Sequence, residues 1–243
     1  MLIFIPLLIK FLQRGANMRR PKNTYERGIS GVNHIIMEMG EKVAQELKWS
    51  IEALLEHDQK KAEQVMELDK EVDKLDGELD FNVLDLISLQ QPATKDLRKL
   101  VASLRVGRAL ERFGDYAVNI AEAAIFLAGT GEYFKPLQDI PKMAAMVDKL
   151  LSSSLKAFND KDLELAERVL KDDDPVDELF LHLHDELIEY MKRGPRYVEQ
   201  GSYFLLVTRY LERMGDHAVN VAQMANYKVT GDKIYTDRGL TDS

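Results

Sequence analysis

A twelve-residue pattern occurs twice in this chain of 243 residues, about a hundred positions apart. Residues 110–121 and 211–222 both read L-E-R-x-G-D-x-A-V-N-x-A. A second pattern, A-E-x-V-x-x-x-D-x-x-V-D-x-L, is shared by residues 62–75 and 166–179. Two separate segments that repeat with nearly the same offset indicate a chain built twice from one unit. Each half must therefore form a similar structure.

Helical spacing dominates the rest of the sequence. The chain has only seven Pro and fourteen Gly residues, and the long segments between them show almost no alternating β pattern. We predict three helices in each half, over about residues 29–56, 59–89, 92–128, 137–158, 163–193 and 196–229. Three long antiparallel helices per half predict an all-α fold of two pseudo-symmetric three-helix bundles.

Aspartates and prolines mark the ends of these helices. Asp58 and Asp162 precede the second helix of each half and are candidate N-caps. Pro92 fits the first turn of the third helix, where its missing N–H does no harm. Pro195 breaks the second half at the matching place, after Gly194. Pro175 lies within the predicted fifth helix, where it either occupies a first turn or kinks the helix.

The Gly and Pro residues between the helical segments also divide the chain into domains. We place an N-terminal extension at residues 1–25, the first bundle at 26–130, the second bundle at 131–230 and a polar tail at 231–243. The apolar start of the extension is too short to span a bilayer, which needs roughly 20 residues. We expect the extension to be mobile. We interpret residues 1–17 as an upstream extension of the reading frame, with a weak membrane-surface anchor as the alternative.

Composition excludes several classes of function. The net charge is -8 and the pI is about 5.3, whereas a dedicated nucleic-acid binder normally carries a basic face. The chain has no cysteine, so disulfides, thiolate metal sites and cysteine nucleophiles are excluded. The sequence also shows no nucleophile elbow, no phosphate-cradling Gly-rich loop and no His-based triad, so we predict no catalytic residue.

Glu111 lies in a helical seam where apolar residues are expected, and Glu212 holds the matching place in the second half. A bare carboxylate in such a seam would be costly or would be protonated. Gly114 and Gly215 follow three residues later, although Gly within a helix costs about 1 kcal/mol relative to Ala. Glycine in both copies indicates close approach by a neighbouring helix or by a ligand.

Each half offers two acidic pairs, with the members of each pair four residues apart. The first acidic cluster is Asp69, Asp73, Glu111 and Asp115, and the second acidic cluster is Asp173, Asp177, Glu212 and Asp216. Like charges at this spacing repel by a few tenths of a kcal/mol on an isolated helix. A single acidic pair is usually a solvated helix face, but four pairs in matching positions need another explanation.

Two arrangements would compensate the charges of these acids. In one, nearby arginines fold over the carboxylates as ion pairs; these are Arg108, Arg112, Arg209 and Arg213. In the other, the carboxylates bind hard cations between the helices, such as Mg, Mn, Ca or ferric Fe, with Zn also compatible. The recurrence favours the cation arrangement. Asn119 and Asn220 extend the acidic stripe by one turn, either as ligands or as hydrogen bonds between helices.

These motifs resemble the PhoU family of phosphate-uptake regulators. The resemblance rests on the doubled L-E-R-x-G-D-x-A-V-N-x-A, on its D-x-x-x-D partners, and on the turn at residues 89–92 followed by Asp96-Leu97-Arg98. It covers about residues 26–228. The second half departs from the pattern around residues 197–206, where residues 96–98 have no counterpart, and at Pro175 between the two aspartates of its D-x-x-x-D motif.

The resemblance implies a homodimer of paired three-helix bundles that carries multinuclear metal clusters of Fe, Zn, Mg or Mn. By carry-over, the first acidic cluster would form one metal site and the second acidic cluster the other. The implied function is that of a cytoplasmic negative regulator of phosphate uptake and of the phosphate-starvation regulon. As a non-enzymatic adaptor, it would link the ATPase subunit of a phosphate ABC transporter to a membrane sensor histidine kinase, and would reach the membrane only through these partners.

Two other functions compete with this interpretation. A ferritin-like enzyme with a carboxylate-bridged pair of metals would use Glu-x-x-His motifs. No histidine of this chain has a Glu or Asp three residues earlier, so the diagnostic ligand pair is lacking. A metal-free structural bundle, in which the arginines neutralise the acids, is the second alternative.

Overall fold

The computed structural model describes residues 22–135 and 137–232, and all the regular structure in these residues is helical. The elements are α1 (Lys22–Glu56), α2 (Gln59–Gln90), α3 (Thr94–Ala128), α4 (Asp139–Asp160), α5 (Leu163–Asp172), α6 (Asp174–Lys192), a 3-10 turn (Pro195–Tyr197) and α7 (Val198–Thr230). The predicted all-α class with two three-helix bundles is confirmed. The predictions made for residues 1–21 and for residues 233–243 of the tail lie outside the described residues.

The first bundle consists of α1, α2 and α3. The Asp58 carboxylate accepts a hydrogen bond from the Lys61 N–H at 3.1 Å, so the predicted N-cap of α2 is confirmed. At the other end of α2, Gln91 adopts a left-handed conformation with φ 44°. The prediction that Pro92 lies in the first turn of the third helix is wrong. Ala93 is still extended, with ψ 160°, so helical geometry begins only at Thr94.

The second bundle has one more break than the first. Asp162 caps α5 as predicted, because its carboxylate accepts a hydrogen bond from the Leu165 N–H at 2.9 Å. The single helix predicted next is divided into α5 and α6 at Asp173, and Pro175 stands in the first turn of α6. A proline has no N–H to donate and its ring clashes with the carbonyl four residues back, so the helix restarts there.

The two halves pack together through corresponding helices. α3 lies along α7, and α1 contacts α4. The Tyr116 ring of α3 is 5.8 Å from the His217 ring of α7, between ring centroids, and these two residues hold equivalent positions in the repeat. Equivalent positions that meet indicate a local two-fold axis between α3 and α7. Both copies of the L-E-R-x-G-D pattern therefore lie on neighbouring helices that this axis relates.

The core is apolar and continues through both bundles. Fully buried side chains include Met39, Leu110 and Phe113 in the first half and Phe158 and Phe204 in the second. Burial of a side chain of this size contributes about 1.5–3 kcal/mol relative to exposure. α3 buries residues on nearly all sides, as its apolar sequence predicts. Over the described ranges, the longest apolar stretch of any helix falls short of what a membrane span requires.

Candidate metal centre

Gly114 of α3 lies at the meeting point of the three helices of the first bundle. A Cβ atom placed on Gly114 would be 2.8 Å from Glu46 Oε2 of α1 and 3.1 Å from Asp69 Oδ1 of α2. At the first distance a Cβ atom would force Glu46 to shift, and the second distance is tighter than most real Cβ contacts. The absence of a side chain on Gly114 therefore makes room for both carboxylates. The close approach inferred from the mid-helix glycine is thus an approach of acidic side chains.

Glu46 also lies at this meeting point, although it is not among the eight acids predicted from the sequence. Its side chain is 0% exposed, and neither of its carboxylate oxygens has a hydrogen-bond partner among the described residues. Burial, and then the charges of Asp69 and Asp73, raise the pKa of Glu46 to about 9, against a smaller opposing effect of Lys42. Glu46 interrupts the buried seam of α1 as Glu111 interrupts that of α3, so the same search for an acid in an apolar stripe would have found it.

The first acidic cluster combines two carboxylates from α2 with two from α3. Burial raises the pKa of Asp69 to about 6, and the neighbouring charges of Asp73, Asp115 and Glu111 add to this effect in that order. Burial, followed by the charge of Asp115, also raises the pKa of Glu111. The four predicted residues of this cluster therefore lie close enough to influence one another's protonation.

A cavity of about 320 Å³ opens beside the first acidic cluster. Its lining includes Asp69 from α2 together with Asp115 and Asn119 from α3. Asn119 thus faces the same space as the acids and lies where its amide could serve as a ligand. The remaining lining residues are Arg112, Tyr116 and Val118.

Arginines contact the acids of α3. Arg108 lies 2.7 Å from Glu111, and Arg112 lies 2.8 Å from Asp115, measured between nitrogen and carboxylate oxygen. Both arginines lower the pKa of Glu111 against the effect of burial. Glu111 Oε2 is 3.6 Å from Arg112 Nε, and no hydrogen bond to this oxygen comes from the described part of the chain. Ion pairing therefore satisfies only part of the cluster.

In the second acidic cluster, Glu212 and Asp216 of α7 also lie beside arginines. Burial, followed by the charge of Asp216, raises the pKa of Glu212 to about 7, while Arg209 and Arg213 oppose the shift. Arg209 lies 2.8 Å from Glu212, and Arg213 lies 3.3 Å from Asp216.

Asp173 of the second acidic cluster stands at the junction of α5 and α6 and is 3% exposed. Its Oδ1 would be 3.1 Å from a Cβ atom on Gly215, as Asp69 Oδ1 would be from one on Gly114. The approach of an aspartate to the mid-helix glycine thus recurs in the second half.

Several buried carboxylate oxygens at the two clusters lack a hydrogen-bond partner among the described residues. Within residues 22–135 and 137–232, no three His, Asp or Glu side chains stand in a ready-made group for a metal ion. However, both Glu46 oxygens, Glu111 Oε2 and Glu212 Oε2 are buried and accept no hydrogen bond from the described residues. A buried acceptor without a partner costs about 1–3 kcal/mol, and a bound cation would remove that cost. Carboxylate oxygens are the ligands that hard cations prefer.

The duplicated bundle and its paired acids define a class of all-α proteins in which each half directs carboxylates at a glycine of its last helix. The model of the PhoU domain matches residues 36–124 and again residues 140–225. The chain therefore belongs to the PhoU family.

Curated relatives match nearly the whole chain. One from Clostridium acetobutylicum is named phosphate-specific transport system accessory protein PhoU homolog. It is 31% identical over 214 residues, which cover 88% of this chain and 97% of the relative. A relative from Methanothermobacter thermautotrophicus, with the same name and the number 1, is 32% identical over 217 residues, with coverage of 88% and 97%.

Solved structures agree with this assignment. The crystal structure of PhoU from Pseudomonas aeruginosa has a TM-score of 0.83 and 30% sequence identity, and the match covers 86% of this chain and 100% of that one. The phosphate transport system regulatory protein PhoU from Streptococcus pneumoniae has a TM-score of 0.80 at 21% identity, and it shows the same fold.

Proposed function

We propose that this protein regulates phosphate transport as a non-enzymatic accessory protein. The observation that carries the proposal is the match to relatives named accessory proteins of a phosphate-specific transport system, over 97% of their length. In this role the protein acts in the cytoplasm as a homodimer and a negative regulator of phosphate uptake and of the phosphate-starvation regulon. It binds the ATPase subunit of a phosphate ABC transporter and a membrane sensor histidine kinase, and it reaches the membrane only through them.

The acidic clusters supply this adaptor with cation sites. Asp69, Asp73, Glu111 and Asp115 would hold cations in the first half, and Asp173, Asp177, Glu212 and Asp216 in the second, as multinuclear clusters of Fe, Zn, Mg or Mn. Support comes from the buried carboxylate oxygens that accept no hydrogen bond from the described residues. Bound cations turn an acidic surface into one that attracts anions, such as phosphate or the carboxylates of a partner.

Co-purification tests the adaptor role. The purified protein, loaded with metal, is mixed with the ATPase subunit and with the kinase from the same organism, and complexes are separated by size. We expect complexes with both partners, and weaker ones for a Glu111→Gln, Asp115→Asn variant. Glu63→Gln with Glu67→Gln is the matched control, because this acidic pair has the same spacing on the exposed face of α2. Failure of the wild-type protein to bind either partner would overturn the adaptor role.

Calorimetric titration tests whether the metals bind phosphate. Inorganic phosphate is titrated into metal-loaded protein and into protein stripped with EDTA. We expect binding only to the loaded form, because the stripped clusters repel anions. Equal binding by both forms would exclude the bridging role of the metals.

The ion pairs with arginine favour a metal-free structural bundle as the second candidate. Arg108, Arg112 and Arg209 each lie within 2.8 Å of a cluster carboxylate. Replacing Glu111 and Asp115 by Ala separates the two candidates. A bundle without metal would bind as little metal as before and would fold more stably, whereas a metal protein would lose bound metal per chain.

A further inference from the structure

Glu46 has a place in the fold that packing does not explain. The side chain comes from α1, is 0% exposed, and points to the spot beside Gly114 that Asp69 approaches from α2. Neither oxygen accepts a hydrogen bond from any group in the described ranges. A buried carboxyl without partners costs free energy, so an apolar residue at this position would favour folding.

The second half shows what an apolar residue does at this position. α1 and α4 correspond closely, with the buried pairs Met39 and Met143, Val43 and Val147, Leu47 and Leu151, and Ser50 and Ser154. In this alignment Glu46 corresponds to Leu150. The geometry agrees, because a Cβ atom on Gly215 would be 3.9 Å from Leu150 Cδ1 and 3.1 Å from Asp173 Oδ1. Leu150 therefore takes, in the second half, the position that Glu46 has in the first.

We propose that Glu46 is a fifth carboxylate ligand of the first acidic cluster, and that Leu150 leaves the second acidic cluster without this ligand. The inference rests on the proposed binding of cations by these clusters and adds a residue to it. The affinity of an oxygen site for a hard cation rises with the number of charged ligands. The first site therefore fills before the second and holds its cation more tightly.

Manganese titration measures the contribution of Glu46. The full chain carries Glu212→Gln and Asp216→Asn, so that only the first site remains, and Mn²⁺ alone is added to EDTA-stripped protein. Free Mn²⁺ is followed by electron paramagnetic resonance and binding by calorimetry. We expect Glu46→Gln to weaken binding at least about tenfold, the lower end of the loss seen when an outer partner of a metal ligand is removed.

Two further variants test whether the loss of Mn²⁺ binding is specific to the Glu46 carboxylate. Glu46→Leu reproduces the residue of the second half, and we expect the same weakening in a protein that melts at a temperature no lower than that of its parent. Ser50→Ala is the matched control, a buried polar residue one turn along α1 that bonds the Leu47 carbonyl. We expect it to leave Mn²⁺ affinity within about twofold.

The outcomes distinguish the role of Glu46 from the existence of the metal site. If the parent protein binds Mn²⁺ and both Glu46 variants bind it equally well, Glu46 is not a ligand, while the proposed metal site stands. If the parent binds no Mn²⁺, or if Glu111→Gln with Asp115→Asn binds as the parent does, the proposed metal site itself is wrong.

Discussion

Single residues decide the character of the first acidic cluster. Glu46 is buried against Asp69, and burial followed by the charges of Asp69 and Asp73 raises its pKa to about 9. The carboxyl group is therefore neutral at pH 7 in protein without bound metal. In the unfolded chain it ionises near its ordinary value of 4.5. Between these two values the folded state holds one proton that the unfolded state releases.

We predict that Glu46→Leu removes part of the pH dependence of stability. Because the native state holds the extra proton, the free energy of unfolding of the wild type falls as pH rises from about 5 to 9, by up to about 1.4 kcal/mol per pH unit from this group. The variant lacks this fall, so its advantage over the wild type grows with pH. Urea unfolding in EDTA at several pH values measures the difference.

The control for this experiment is Glu41→Gln, which removes an exposed glutamate from the same helix. We expect its stability to follow the wild-type profile. A Glu46→Leu profile parallel to that of the wild type from pH 5 to 9 would contradict a raised pKa for Glu46.

The two D-x-x-x-D motifs differ in where they stand relative to the ends of their helices. Asp69 and Asp73 lie on the unbroken α2, whereas Asp173 stands between α5 and α6 and Asp177 lies in the first turn of α6. The Asp173 carbonyl accepts hydrogen bonds from the N–H groups of Val176 and Asp177, at 2.9 and 3.3 Å. The second D-x-x-x-D motif therefore begins a helix, while the first lies within one.

We predict that the Asp162 cap of the short helix α5 contributes to the stability of the protein. Replacing Asp162 by Ala leaves the Leu165 N–H without its acceptor, and we expect a loss of about 1 kcal/mol. The melting temperature should fall by about 2–4 °C in a chain of this size. Calorimetry of the purified variant measures the loss.

Asp160→Ala is the matched control for the cap. Asp160 lies exposed in the last turn of α4, where a negative charge opposes the helix dipole. We expect its removal to be neutral or slightly stabilising. Equal destabilisation by both substitutions would mean that the cap bond of Asp162 contributes nothing.

The two-fold axis between α3 and α7 organises the whole molecule. Burial, the largest effect, lowers the pKa of His217, whereas the charges of Asp216 and Asp115 act to raise it. One acid of each cluster therefore lies near this axis. At this place the Tyr116 ring of α3 contacts the rings of Tyr210 and His217 of α7.

We predict that cations bound at the two clusters stabilise the whole fold. Because a ligand that binds only the native state stabilises it, Mn²⁺ at a hundred times its dissociation constant should contribute about 2.7 kcal/mol per site. The melting temperature of stripped wild-type protein should rise on addition of Mn²⁺ and return with EDTA. Asp69→Asn with Asp115→Asn should show a smaller rise, and Glu63→Gln with Glu67→Gln the full rise. A wild-type melting temperature that does not respond to Mn²⁺ would contradict the prediction.

The segment joining the bundles is held by Gln200 of α7. Its amide donates to Thr130 Oγ1 and to the Glu132 carbonyl, at 3.0 and 3.1 Å, and accepts from the Phe134 N–H at 3.1 Å. Gln200→Ala should destabilise the protein by about 1–3 kcal/mol, since it leaves partly buried groups without partners. Chemical denaturation measures this loss. Ser202→Ala is the control, because that exposed hydroxyl bonds only the Glu199 carbonyl of its own helix among the described residues. A Gln200→Ala protein as stable as the control would mean that the joining segment holds its place without this residue.

The sequence alone determined the duplication, the helical class and the eight acids of the two clusters. These properties are local, because helical periodicity, caps such as Asp58 and Asp162, and repeated motifs are all written in short stretches of chain. Only the tertiary structure decided which side chains approach Gly114, that Glu46 of α1 joins Asp69 of α2 there, and that Leu150 takes its place in the second half. Such approaches depend on the relative positions of three helices. Periodicity within α1 marks Glu46 as an acid in an apolar stripe, but it does not say which side chains Glu46 meets.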